Sequence, residues 1–241
     1  MMPARSRALQ FVLIAAVAAG LLIAVLSRRG PAALPPRPPS ERPSLLLLTS
    51  LPLLFSEGFS LGGGSPAVKR LETRYRLVPI SVTDQEELAK GGLLLMAHPQ
   101  AQPAEDLVAL DDWVRRGGRV LLLADPLLEW PSQRPLGDPL RPPPMFMDTG
   151  LLAHWGLKLD APDERGPAVR KVGGFNVFTL SPGSLSGRCS ITGDRLVARC
   201  RIGAGEVIVV ADADFLDADR LGPRATHNID GLLAELAELE R

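Results

Sequence analysis

Apolar residues occur in short continuous runs along most of the chain, and segments with helical spacing separate these runs. Five of the runs predict buried strands, at 45–48, 77–82, 93–97, 120–124 and 207–211. The clearest helix is predicted over 103–116, because acidic residues fill its first turn, two arginines fill its last turn and a glycine follows. Strands that are apolar throughout are typical of parallel sheets covered by helices on both faces. The pattern therefore predicts an α/β fold with a doubly wound, mostly parallel sheet, of the flavodoxin-like or class I glutamine-amidotransferase-like type.

The stretch from about 127 to 202 interrupts this rhythm. It is rich in proline, with three consecutive prolines at 142–144, and a short helix is predicted near 151–155. The segments 169–180 and 189–202 are typical of β-hairpins. We expect this stretch to be an insertion that carries a hairpin, either a functional loop or a cover for one sheet edge.

The first 43 residues differ from the rest. After a short tail (1–7), residues 8–26 form an apolar run of nineteen residues, long enough for one transmembrane helix. A cleaved signal peptide is the alternative, but no small-x-small cleavage site follows the run. The proline-rich segment 27–43 predicts a stiff linker, and 44–241 predict the α/β domain. These features predict a single-pass protein of the inner (cytoplasmic) membrane, anchored in the lipid bilayer, with a periplasmic domain.

Composition narrows the functional classes. The formal net charge is zero, and no basic stripe is present, so we expect no nucleic-acid partner. No phosphate-binding P-loop motif occurs, and we expect no cofactor.

The two cysteines flank a predicted turn. If residues 193–196 form a four-residue loop, Cys189 lies opposite Cys200, and this register favours a cross-strand disulfide. The alternative is a pair of small buried thiols in a reducing compartment.

Polar residues follow the predicted strands at their carboxyl ends. His98 follows the third strand, Asp125 the fourth, and Asp212 and Asp214 the fifth. Ligands of doubly wound sheets bind outside this edge, so these residues are candidates for binding a ligand, a partner or a metal ion. Capping of the following turns is the commoner use of such aspartates. Trp130, in the proline-rich loop, is a further candidate for a partner contact.

Two segments carry a resemblance to a known family. They read MAHPQAQPAEDLVALDDWVRRGGRVLLLADP (96–126) and GAGEVIVVADADFLD (203–217), followed by Asn228. They resemble the periplasmic glutamine-amidotransferase-like domains of ABC-transport auxiliary proteins, including the gliding-motility type, and a related uncharacterised single-span membrane family. In class I amidotransferases the strand after this helix leads into a cysteine nucleophile. Here the corresponding place reads Leu123-Ala124-Asp125-Pro126, so the resemblance implies a non-catalytic relative.

These observations together predict a non-catalytic auxiliary or binding component of a membrane complex, with an ABC permease or ATPase as the candidate partner. Two alternatives are a metal-dependent hydrolase that uses the carboxylates at the sheet edge, and a structural scaffold of the cell envelope.

Overall fold

The computed structural model describes residues 30–55 and 64–241. The chain divides into two compact units, 1–32 and 33–241. The predicted anchor at 8–26 lies outside the described residues. Within the described residues no helix is long and apolar enough to cross a membrane. We therefore correct the prediction of a single-pass inner-membrane protein with an exported domain, since the described structure gives it no support.

The second unit is built on one seven-stranded sheet. Its strand order is β2-β1-β3-β4-β11-β10-β9. The strands are β1 (Ser44–Thr49), β2 (Arg76–Pro79), β3 (Leu93–Ala97), β4 (Arg119–Leu123), β9 (Ser190–Ile191), β10 (Val197–Ile202) and β11 (Gly205–Val210). The first five positions in the order, from β2 to β11, pair in parallel. Strand β10 runs antiparallel to β11, and β9 runs antiparallel to β10.

The expected doubly wound, mostly parallel fold class, preceded by a transmembrane helix, is therefore wrong as stated, because the sheet is mixed. The reason lies in the short connection between β10 and β11. Only Gly203 and Ala204 separate the two strands, and a two-residue turn can join antiparallel strands but not parallel ones. Gly203 adopts φ +61°, and a side chain there would approach Arg115 closely. Strands β9 and β10 thus extend the main sheet rather than belonging to the insertion.

Two small antiparallel sheets complete the strands. One pairs β5 (Leu157–Asp160) with β8 (Ser184–Gly187), and the other is the hairpin of β6 (Pro167–Val172) and β7 (Phe175–Leu180). The hairpin turns at Gly173 and Gly174, which both have positive φ, as the favoured two-residue hairpin turn requires.

Six α-helices accompany the strands in the described residues, and two of them begin at a side-chain cap. The six helices are α1 (Pro66–Glu72), α2 (Gln85–Leu88), α3 (Ala104–Arg115), α4 (Leu151–His154), α5 (Ala218–Leu221) and α6 (Asn228–Leu239). The Ser65 hydroxyl caps α1 and the Asp84 carboxylate caps α2, each accepting a hydrogen bond from a backbone N–H three residues on. Strands β3 and β4 lie in the centre of the core, with every residue from Leu93 to Ala97 buried. Buried side chains on both faces of a strand require packing on both sides of the sheet.

Part of the segment that the sequence predicts as a linker lies against this domain. The backbone N–H of Arg37 donates to Thr73 O over 2.9 Å, and its guanidinium pairs with Glu240 at 2.6 Å. The Arg70 guanidinium donates to Leu34 O over 3.1 Å. Residues 34–37 are therefore bound to α1 and to the end of α6.

Candidate functional site

The four polar residues at the strand ends come together because β3, β4 and β11 are neighbours in the sheet. Their carboxyl ends meet at one edge, where ligands of α/β sheets normally bind. His98, Asp125, Asp212 and Asp214 are all fully buried. The edge is therefore closed rather than open to solvent.

A proline-rich loop closes the edge. We call residues 126–147 the lid. Its two ends are joined by a hydrogen bond from Leu128 N to Pro144 O at 2.9 Å. Leu128, Trp130 and Phe146 are partly buried and pack against the main core. Trp130 thus lies in the lid and helps to pack the lid against the core.

His98 donates a hydrogen bond to the lid. Its Nε2 lies 2.9 Å from Pro143 O, and a carbonyl oxygen can only accept, so we assign the proton to Nε2. The neutral Nδ1 then carries a lone pair, and it is buried without a hydrogen-bond partner. Burial lowers the pKa of His98 to about 4, although the contact with Pro143 opposes that shift. The imidazole is therefore neutral at physiological pH.

Asp125 links the lid to the end of β11. One carboxylate oxygen accepts from Leu127 N at 2.8 Å, and the other accepts from Ala213 N at 2.9 Å. The backbone carbonyl of Asp125 accepts from Phe146 N at 2.6 Å. Burial raises the pKa of Asp125 to about 6, and the backbone hydrogen bonds partly offset this rise.

Asp212 is bound by residues that follow it and by the hairpin. The hydroxyl of Thr179 on β7 lies 2.7 Å from both carboxylate oxygens, and Phe215 N donates at 3.2 Å. Burial raises the pKa of Asp212 well above its ordinary value, and the neighbouring Asp125 raises it further.

Asp214 has one oxygen bound and one free of hydrogen bonds. Its Oδ2 accepts from Glu129 N of the lid at 2.8 Å, whereas its buried Oδ1 has no hydrogen-bond partner. The Arg220 guanidinium lies 3.7 Å from Oδ1. Burial raises the pKa of Asp214 to about 7, and Asp125 contributes to the rise.

The sequence did not single out the polar residues that surround these four. Thr179 and Ser181 lie at the end of β7, and the Ser181 hydroxyl donates to a carboxylate oxygen of Glu129 in the lid. Ser181 also accepts from Gly166 N at 2.8 Å. The contacts of Thr179 with Asp212 and of Ser181 with Glu129 span more than thirty residues of sequence, so no local motif predicts them.

The chemistry of this edge differs from that of an open active site. Both cysteines of the chain are joined in a disulfide, so no thiolate nucleophile is available while it is intact. No group of three metal-ligating side chains comes together in the described ranges, 30–55 and 64–241. The carboxylates mainly accept hydrogen bonds from backbone amides and from a hydroxyl. The hypothesis of a metal-dependent hydrolase therefore lacks a ligand cluster in the described structure.

The two cysteines lie apart from this edge. Cys189 and Cys200 form a disulfide with a Cα–Cα distance of 4.9 Å. The pairing of Ser190 with Arg199 continues the β9–β10 register to the two cysteines. The disulfide thus closes the β9–β10 hairpin.

No family model matches the chain, and no curated protein matches it. Among solved structures, the N-terminal domain of mmIFT52 aligns at a TM-score of 0.53 with 14% identity, covering 82% of this chain and 97% of that domain. The cytoplasmic protein STM3548 from Salmonella typhimurium aligns at 0.51 with 11% identity, covering 82% of this chain and 98% of that protein. At these identities the similarity concerns the fold alone.

A third solved structure is the exo-β-1,4-mannosidase Op5Man5 from Opitutaceae bacterium strain TAV5. It aligns at a TM-score of 0.49 with 15% identity over 83% of this chain, and the chain spans 36% of its length. That similarity is too distant to support a function. The neighbours named here include no ABC-transport component and no amidotransferase, so the resemblance to those proteins stays a prediction.

Proposed function

We propose that this chain is a non-catalytic binding domain that contacts a protein partner through its lid. The observation that carries the proposal is the burial of the polar sheet edge beneath the lid. The polar residues at the place where α/β domains bind ligands are fully buried, and the lid's backbone makes a hydrogen bond with one side-chain atom each of His98, Asp125 and Asp214. A small-molecule substrate has no access to them while the lid is closed.

The outer side of the lid supports a role in protein binding. Four large apolar side chains are exposed in one twelve-residue segment of the lid, 136–147: Leu136, Leu140, Met145 and Met147. Leu136 is 85% exposed. Exposed apolar side chains that are concentrated in one element mark interaction surfaces, whereas isolated ones are normal. Methionine side chains adapt to varied partner surfaces.

The structure also explains how the lid presents these side chains. Its base is fixed by hydrogen bonds to the sheet edge, and its proline content restricts the backbone between them. A preordered loop loses less conformational entropy on binding than a flexible one. The buried polar residues of the sheet edge then hold the binding surface of the lid in place.

The test compares two variants in the full chain. Leu136→Ser with Leu140→Ser removes apolar surface from the lid, while Val169→Ser removes an exposed valine from β6. Each tagged protein is crosslinked in the cells that produce it, and partners are quantified by mass spectrometry. A partner identified this way is then purified, and its Kd is measured with each variant.

We expect the lid variant to weaken binding of that partner by at least about tenfold, because hot-spot side chains commonly contribute more than about 1.4 kcal/mol each. The Val169→Ser control should bind as the unsubstituted chain does. Equal binding by all three proteins, or the absence of any partner that depends on the lid, would overturn the proposal.

A further inference from the structure

The lid is held shut by hydrogen bonds to the buried ionisable side chains of the sheet edge. Leu127 N donates to Asp125, Glu129 N donates to Asp214, and Pro143 O accepts from His98. The side chain of Glu129 also accepts from Ser181. These contacts join the first and last thirds of the lid to fully buried side chains.

The charges around these contacts are unbalanced. Asp125 raises the pKa of both Asp212 and Asp214, and Asp214 also raises that of Asp212. The Glu129 carboxylate of the lid raises the pKa of Asp125 and of Asp214. In the described part of the chain, the guanidinium that faces this cluster is that of Arg220, 3.7 Å from Asp214. The neutral His98 adds no positive charge. Full ionisation would therefore leave several buried negative charges opposite one cation.

We infer that the lid is a proton-controlled latch, which stays closed while the buried carboxyl cluster holds a proton and opens as pH rises and the cluster becomes fully charged. Opening would hydrate the carboxylates and relieve their mutual repulsion. This device is intramolecular, so it goes beyond partner binding and does not depend on it.

The direction follows from linkage. In the closed state burial raises the pKa of Asp125 to about 6 and that of Asp214 to about 7. When the lid opens, both values fall toward the ordinary value near 4. The closed state thus binds protons more tightly, so its advantage is complete below about pH 4 and is lost as pH rises through 6 and 7.

The three tryptophans of the chain provide the test, because one lies in the lid and two lie outside it. Trp130 lies in the lid, whereas Trp113 lies in α3 and Trp155 follows α4, with its indole N–H bound to Asp111 at 2.9 Å. The full chain is labelled with 5-fluorotryptophan, and its ¹⁹F spectrum is recorded from pH 5 to pH 8 in H₂O and D₂O. The Trp130→Phe variant assigns the lid resonance.

We expect the Trp130 resonance to gain a solvent isotope shift as pH rises, while the Trp113 and Trp155 resonances stay unchanged. The open fraction should rise about tenfold or more, because each pKa that falls by one on opening changes the equilibrium about tenfold once pH exceeds both values. A Trp130 resonance that is constant across this range would overturn the inference. So would a common change of all three resonances, because that would mean loosening of the whole domain.

Three variants test the latch, and two of them separate it from a general effect of charge. Asp214→Asn keeps an acceptor for Glu129 N and removes one buried charge, so it should lower the open fraction at pH 8 about tenfold. Glu238→Gln neutralises an exposed carboxylate at the end of α6 and should leave the titration unchanged. Ser181→Ala removes a lid contact and should raise the open fraction at every pH. Identical titrations of Asp214→Asn and the unsubstituted chain would contradict the latch.

Discussion

Asn228 offers the sharpest test of how the domain is held together. Its side chain is fully buried at the first residue of α6. The Oδ1 atom accepts from Phe178 N at 2.8 Å, and Nδ2 donates to Phe178 O and to Phe215 O, both at 2.7 Å. This one amide thus satisfies three backbone groups on β7 and on the segment after β11. It ties both segments to α6, and Asp212 and Asp214 lie on the second of them.

Truncation of this side chain should be strongly destabilising. Asn228→Ala leaves one buried N–H and two buried carbonyl groups without this partner, and each such group costs about 1–3 kcal/mol. The carbonyl oxygens have second lone pairs and suffer less than the N–H. We therefore expect the free energy of unfolding to fall by about 3–5 kcal/mol, a large share of the roughly 5–15 kcal/mol typical of a domain.

The assay is urea unfolding of the full chain at fixed pH, followed by tryptophan fluorescence and far-UV circular dichroism. The matched control is Asn176→Ala, which removes an exposed asparagine from the same strand. The control should change stability by less than about 0.5 kcal/mol. A loss below about 1 kcal/mol in Asn228→Ala, or a loss equal to that of the control, would refute the assignment of these three hydrogen bonds as a central tie.

Three further predictions concern pH, packing and the disulfide. The free energy of unfolding should fall by about 2–4 kcal/mol between pH 5 and pH 8, because burial raises the pKa of Asp214 to about 7. In this range the folded state binds more protons than the unfolded state. A urea midpoint that stays constant across this range would contradict the prediction. Gly205→Ala should cost at least about 2 kcal/mol, since its Cβ would lie 2.1 Å from a backbone carbonyl oxygen, whereas Gly193→Ala has open space and should be nearly neutral; similar midpoints for the two variants would show that the backbone there can shift. Replacing Cys189 and Cys200 together by serine should lower stability by about 2–3 kcal/mol, as expected for a closed loop with a sequence separation of 11; a reduced sample of the unsubstituted chain should match the variant, and a mismatch would assign the loss to the serines.

The sequence located the central elements because local patterns determine them. Strand β3 is predicted at the residues where it occurs, and α3 lies within one residue of its predicted ends. Continuous apolar runs specify buried strands, and the charge pattern with Gly117, at φ +111°, specifies the end of α3. These signals are independent of distant contacts, so they survive in the folded domain.

The parts that the sequence missed depend on distant contacts. The strand-end positions of His98 and the aspartates were visible, but their burial was not, because a loop that follows β4 covers them. Partners such as Thr179, on β7, and Ser181, just after it, are far in sequence from the residues they contact. The mixed sheet was missed for a related reason, since the pattern of β10 was assigned to an insertion rather than to the sheet.

Whether the polar atoms at the sheet edge are accessible bears on function more than which residues lie there. Three aspartates and a histidine at strand ends are typical of a ligand site, and an open cleft would leave their polar atoms available to a ligand. Here the lid, the β7 hairpin and the segment after β11 bind most of those atoms, and two buried atoms, His98 Nδ1 and Asp214 Oδ1, have no hydrogen-bond partner. Unsatisfied buried groups destabilise the closed lid. In a domain selected for stability alone, we would expect apolar side chains at these two positions, because apolar replacements of buried charged groups are often neutral or stabilising. Their presence beneath a proline-rich lid therefore favours an edge that works by changing between closed and open states, with the apolar outer side of the lid as the surface that such a change would move.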